Sequence, residues 1–188
     1  MNKSYAVFTW VITILVIVFS IYIFTKDPIE PGTPIVINTT DLKFDDVVNG
    51  VSFVYPKEFS LSSENVLIIP KSFQPNTNFS EAKFSVSKNN SKEALGGCYL
   101  LINGEESFGF VDINGVSFLK NTLGDAGAGN FYETTSYRTV YNESCFNISY
   151  LIHYTNIGAY SPEQGIKEFD KNLIIGILEK VVQSVRLL

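Results

Sequence analysis

Residues 132–154, YETTSYRTVYNESCFNISYLIHY, hold the reading that decides the fold. In the second half Phe146, Ile148, Tyr150, Ile152 and Tyr154 recur at every other position, with Cys145, Asn147, Ser149, Leu151 and His153 between them. A period of two belongs to a strand, whose successive side chains point to opposite faces. In the first half Tyr137, Thr139 and Tyr141 alternate with polar neighbours, and Asn142-Glu143 supplies the turn. The stretch predicts a long antiparallel pair with one face packed and the other partly wet.

Upstream, shorter strand signals dominate. Leu42 to Val48, Asn49-Gly50 and Val51 to Tyr55 read as a hairpin with a type I′ turn, and Pro56 ends its second strand. Val66 to Ile69, Ala82 to Ser87 and Cys98 to Ile102 read as further strands. Phe108 to Ile113, Asn114-Gly115 and Val116 to Leu119 repeat the hairpin pattern. Gly124 to Asn130 (GDAGAGN) reads as a mobile loop: it lacks the lysine of a phosphate-binding loop and the strand–helix context such a loop needs. Loops of this kind can still contact ligands, through Gly127 and Gly129 here.

Downstream, Asp170 reads as the N-cap of a helix from Lys171 to about Ser184. Leu173, Ile174, Ile177, Leu178, Val181, Val182 and Val185 form its apolar stripe, which would lie across a sheet face.

Near the start, Tyr5 to Phe24 runs for 20 residues without a charge, enough at about 1.5 Å per residue to cross a hydrocarbon core of about 30 Å. Trp10 and Tyr22 lie towards its ends, and Lys3 and Lys26 flank it. The run is longer than a cleaved signal's and is followed by no small-residue cleavage site. The segment is expected to remain in the lipid bilayer, with residues 1–4 as a short cytoplasmic tail. Residues 25–40 form a proline-rich linker, and 41–188 form one extracytoplasmic domain. The fold class expected is therefore α+β: an N-terminal transmembrane helix, then an antiparallel β-sheet domain packed against a C-terminal helix.

Composition is that of a globular chain, with 45% hydrophobic and 18% charged residues among 188. Beyond residue 26, 12 basic residues face 19 acidic ones, a net charge of −7, and Arg138 and Arg186 are the arginines. Such a balance offers no stripe to neutralise phosphates, so nucleic acid is excluded as a partner.

Few residues suggest chemistry. Cys98 and Cys145 are the two cysteines, and in an oxidising compartment they are expected to form a disulfide. A redox-active pair more often takes a Cys-x-x-Cys spacing. His153, the one histidine, could serve as a general base, yet Asn147 and Ser149 merely share its strand face. The sequence has no His/Cys cluster for a metal and implies no cofactor. Asp45-Asp46 and Glu105-Glu106 are neighbours that a strand would point to opposite faces, so they read as solvated surface. N-x-[ST] triplets begin at Asn38, Asn78, Asn89, Asn142 and Asn147, among others.

The stretch Gly50-Val51-Ser52-Phe53-Val54-Tyr55-Pro56-Lys57-Glu58-Phe59 resembles the opening strand of PsbP-like domains. The closing helix followed by Ser184-Val185-Arg186-Leu187 is also similar to that family's ending. Ala126 to Asn130 and Tyr132-Glu133 are similar to membrane-anchored proteins of small-genome bacteria. Phe59 stands where these domains often carry Trp, and no family metal or partner residue maps onto this chain. The resemblance implies a sheet packed with helices and an accessory or binding role without enzyme activity.

The leading expectation is thus an envelope-facing domain that binds an envelope protein or ligand near the membrane, with His153, Asn147, Ser149, Gly127 and Gly129 as candidate surface. The alternatives are an extracytoplasmic enzyme using His153 with an acid or hydroxyl partner, and a structural envelope spacer.

Overall fold

A computed structural model describes residues 41–62 and 66–188. The expected tail, transmembrane run and linker, residues 1–40, lie outside the described residues. Among the described residues no helix is long and apolar enough to cross a membrane.

Among the described residues ten strands follow one another: β1 (Asp41–Asp46), β2 (Val51–Pro56), β3 (Ser60–Leu61), β4 (Leu67–Pro70), β5 (Phe79–Asn89), β6 (Glu106–Ile113), β7 (Val116–Gly127), β8 (Asn130–Tyr141), β9 (Ser144–Thr155) and β10 (Arg186–Leu187). A short helix, Lys92–Gly97, falls between β5 and β6, and the C-terminal helix, Lys171–Ser184, precedes β10. The strands form a three-stranded sheet, β1-β2-β10, and a seven-stranded sheet, β3-β4-β5-β9-β8-β7-β6. Strand neighbours in both sheets run antiparallel. The expected α+β architecture is present.

The β8–β9 pair is the stretch on which the sequence reading rests. Its turn sits at Asn142-Glu143, with positive φ at both residues (46° and 54°) and Tyr141 opposite Ser144. That is the backbone of a type I′ turn. Phe146, Ile148, Tyr150 and Ile152 are buried, and the alternate residues of β9 are half-buried. We call the first face inner and the second outer. Phe53 and Tyr55 of β2, Leu67 and Ile69 of β4, and Phe79, Ala82 and Phe84 of β5 join the inner residues in one core. The C-terminal helix completes that core with Ile174, Leu178, Val181 and Val182. Leu173, counted in the apolar stripe, is exposed instead.

The helix is fastened at both ends. Asp170 accepts a bond from the Leu173 N–H at 2.9 Å, satisfying one of the orphan donors of the first turn. The Gln74 amide holds the Asp170 backbone through two bonds, of 2.9 and 2.7 Å. At the far end the Ser184 hydroxyl accepts from the Val54 N–H at 2.8 Å, tying the helix to β2.

Three local expectations are corrected. Between β1 and β2 the loop has four residues, not two, because Asp46 pairs with Val51. The Asp46 carboxylate captures the Asn49 N–H (3.0 Å) and side-chain amide (2.7 Å), so Val47 and Val48 swing out into solvent. The bonds from Asn49 hold the Asp46 carboxyl below its ordinary range. Cys98 to Ile102 is not a strand. Ser91 caps Lys92–Gly97 by accepting from the Ala94 N–H at 3.1 Å, Cys98 closes that helix, and the chain continues as irregular turns. Gly124 to Asn130 is not a loop: β7 runs to Gly127, and Ala128-Gly129, with φ of 49° and 79°, is a two-residue hairpin turn. The Asn114-Gly115 turn, by contrast, is as expected, with φ of 51° and 82° and Ile113 opposite Val116.

Candidate functional site

The candidate residues of the sequence reading divide into separate places. His153 donates through Nε2 to the Asn130 side-chain oxygen at 2.9 Å, and its ring stacks on Tyr132 with centroids 4.5 Å apart. Asn130 follows the Ala128-Gly129 turn, so His153, Gly127 and Gly129 do gather at the β7–β8 hairpin end. Ser149 and Asn147 lie four and six residues back along β9, roughly 13 and 20 Å away at about 3.3 Å per residue. Ser149 is engaged with Ser85 (3.2 Å), and the buried side-chain oxygen of Asn147 has no hydrogen-bond partner among the described residues. Glu81 pairs across the sheet from His153 and forms an ion pair with Lys83 at 2.8 Å.

On the inner face a polar seam lies where the C-terminal helix crosses β7, β8 and β9. One oxygen of Glu179 accepts from Tyr137 OH (2.6 Å), Tyr150 OH (2.9 Å) and Lys120 Nζ (2.9 Å). Glu133 accepts from Tyr154 OH and from Lys171 Nζ, both at 2.6 Å. Burial, reinforced by the Glu179 carboxylate, pushes the Tyr137 and Tyr150 phenols well above their ordinary range. Burial and Glu133 push Tyr154 up to about 12. Burial alone would raise Glu133, but the bonds from Lys171 and Tyr154 outweigh it and hold its carboxyl below the ordinary range. The phenols therefore act as donors that anchor the helix to the sheet. The spacing is commensurate: Lys171 and Glu179 are eight helical residues apart, about 12 Å. Glu133 and Tyr137, the partner of Lys120 in register, are four strand residues apart, about 13 Å.

The outer face carries the surface that sequence reasoning missed. Residues 98–105 form a strap across β8, fixed by the Cys98–Cys145 disulfide, whose Cα atoms are 5.7 Å apart. Arg138, in mid-strand on β8, reaches up to meet it. Its guanidinium donates to the Leu100 carbonyl at 2.9 Å and pairs with the Glu105 carboxylate. Turned so that its oxygen faces Arg138, the fully buried Asn121 side chain accepts at 2.7 and 3.2 Å. The Arg138 and Glu105 side chains are only 12% and 7% exposed. Glu105 is thus a buried anchor, not solvated surface. The Tyr99 hydroxyl accepts from the Val140 N–H at 2.9 Å, and its ring meets Phe110 edge-on.

Above this polar footing the strap is apolar. Tyr99, Leu100, Leu101 and Ile102, with Phe108 and Phe110 of β6 and Val140 of β8, are each 39 to 66% exposed. Seven large apolar side chains grouped on one strap and the neighbouring strands make a patch of the kind that marks contact with another molecule. An arginine in the middle of an aromatic-rich strand was the available sequence signal, since a half-buried guanidinium demands an acid and carbonyls around it.

No family model matches the chain, and no curated protein does. Among the solved structures similar to it are two of different origin. The first is a crystal structure from Bacteroides thetaiotaomicron VPI-5482, at 15% identity and a TM-score of 0.47, over 80% of this chain and 49% of that one. The second is the solution structure of cyanobacterial PsbP (CyanoP) from Synechocystis sp. PCC 6803, at 10% identity and a TM-score of 0.38, over 85% of this chain and 99% of that one. The expected likeness to PsbP-like domains is present. It is a likeness of fold. This chain spans about half the length of the Bacteroides protein.

Proposed function

We propose that the chain is a single-pass membrane protein whose domain, residues 41–188, stands outside the cytoplasm and binds another molecule there. The uncharged run Tyr5–Phe24 supplies the anchor, and residues 25–40 the spacer. A disulfide that fastens a structural element supports an oxidising compartment. The observation that carries the binding role is the exposed apolar strap, Tyr99–Ile102, fixed by a covalent bond and a buried ion pair instead of being left to collapse. Binding surfaces presented on rigid supports lose less entropy on association.

The reading of the domain as an enzyme through His153 has less support. Its ring nitrogen bonds the Asn130 amide, and Glu81 across from it is shared with Lys83. A pure spacer has no use for so large an apolar patch.

Photo-crosslinking from position 101 of the full chain in native membranes tests the binding role. An adduct that forms at Leu101 and not at exposed Glu58, in the turn between β2 and β3, is expected. Equal labelling at both positions would remove it. Protease added to intact cells should digest the domain; complete protection would reverse the placement.

A further inference from the structure

We propose that the strap and β6 seat an apolar, extended segment of a cationic protein; this deepens the binding role above and rests on it. The choice of occupant follows from charge. From Tyr99 to Asp112 the sequence holds three acids, Glu105, Glu106 and Asp112, and neither lysine nor arginine. The basic group beneath the patch, Arg138, is already neutralised by Glu105. With Glu105 spent on Arg138, the charges left along this stretch are Glu106 and Asp112, both acidic, on a domain (residues 41–188) whose 12 basic and 17 acidic residues give a net charge of −5. A partner with lysine or arginine around an apolar centre complements such a rim and is steered to it.

Two other occupants fit less well. An anionic bilayer surface has the wrong sign to attract this face. A second copy would bring the same acids, Glu106 and Asp112, to the shared seam, and like charges brought together across a strand pair are unfavourable. It would also bring two net-negative domains together.

Size and backbone agree with an extended segment. An aromatic side chain carries about 150–250 Å² of surface, so seven side chains at these exposures offer on the order of 600 Å². That approaches the roughly 800 Å² per partner of a standard interface. β6 ends the seven-stranded sheet, so among the described residues one side of it has no neighbouring strand. The register slips between Ser107 and Gly109, and Gly109 has a φ of 83°. Such a bulge turns the first half of an edge strand out of line. The regular stretch beyond it, Phe110–Ile113, is where an added strand would bond while Phe108, Phe110 and Tyr99 meet its side chains.

The test places a photo-reactive phenylalanine analogue at Phe108 of the full chain in native membranes and maps the adduct by mass spectrometry. The expected adduct is a protein segment with alternating apolar residues and a lysine or arginine within a few positions. Glu106→Lys, at an exposed residue, should lower the yield about fivefold, as rim charges do, and Glu58→Lys should leave it unchanged. Thermal melting of both variants confirms that they fold. Adducts to another copy of the chain, to lipid or to a segment without basic residues would overturn this partner and leave the binding role standing, as would a yield indifferent to Glu106→Lys. No adduct from Phe108 or from Leu101 would overturn both.

Discussion

The two faces of the seven-stranded sheet are covered by different physics. The inner face is closed by the C-terminal helix through buried Ile174, Leu178, Val181 and Val182, with two carboxylates receiving tyrosines and lysines. The outer face is crossed by a strap that buries little of its own apolar surface and is held by one disulfide, one ion pair and an asparagine. Burial distributed over many side chains is cooperative, so the inner cover belongs to the global fold. A few point attachments can fail locally, so the strap can detach while the sheet persists.

The largest effect expected is on the attachment side. Replacing both cysteines, Cys98→Ser with Cys145→Ser, opens a loop of 47 residues, worth up to about 4 kcal/mol in the chain-entropy account. Hydrogen exchange at residues 99–105 should accelerate while the amides of Lys171–Ser184 stay protected below the melting point. Unchanged protection of the strap would erase the distinction between the faces.

On the inner face, Leu178→Ala should cost about 3 kcal/mol through lost burial and a residual cavity. Its signature is a lowered denaturant midpoint at which fluorescence and exchange report one transition. Separate transitions for helix and sheet would show that the inner cover is an attachment too.

The smallest effect sharpens the comparison within the inner face. Tyr154→Phe removes a bond to a charged acceptor and should cost about 1.5 kcal/mol. The folded state raises Tyr154 above its ordinary value of 10, to about 12, so stability from this group is complete below 10 and fades as pH climbs to 12. Glu133 is lowered, so its contribution is complete above the ordinary value of 4.5 and fades as pH falls through its lower folded value. Melting curves of the variant should lose part of the alkaline decline and keep part of the acid one. An identical alkaline limb in both proteins would exclude the Tyr154–Glu133 bond as its source.

The inner face was legible because periodicity and burial coincide there. The alternation from Phe146 to Tyr154 and the stripe from Ile174 to Val182 face the same core, and Asp170 caps the helix as its residue type suggests. The strap misled for the opposite reason. Cys98-Tyr99-Leu100-Leu101-Ile102 has the β-branched and aromatic content of a strand, but most of those side chains face solvent, and apolar sequence alone cannot tell presentation from burial. The pairs Asn49-Gly50 and Asn114-Gly115 show a similar limit. Both invite a tight turn, yet at Asn49-Gly50 the Asp46 carboxylate three residues upstream captures the asparagine and widens the loop. Arg138 and Glu105 are 33 residues apart, and their pairing is a product of register that no local pattern encodes.

The seam of charges under the helix also settles a question that oily packing leaves open. Isoleucine, leucine and valine grip a sheet about equally well with a helix laid down in either direction. Turned end for end, however, this helix would press Glu179 against Glu133 and Lys171 against Lys120, exchanging two attractions for two repulsions. The seam thus works as a polarity key: the apolar stripe decides that the helix docks, and four charged side chains decide which way it points.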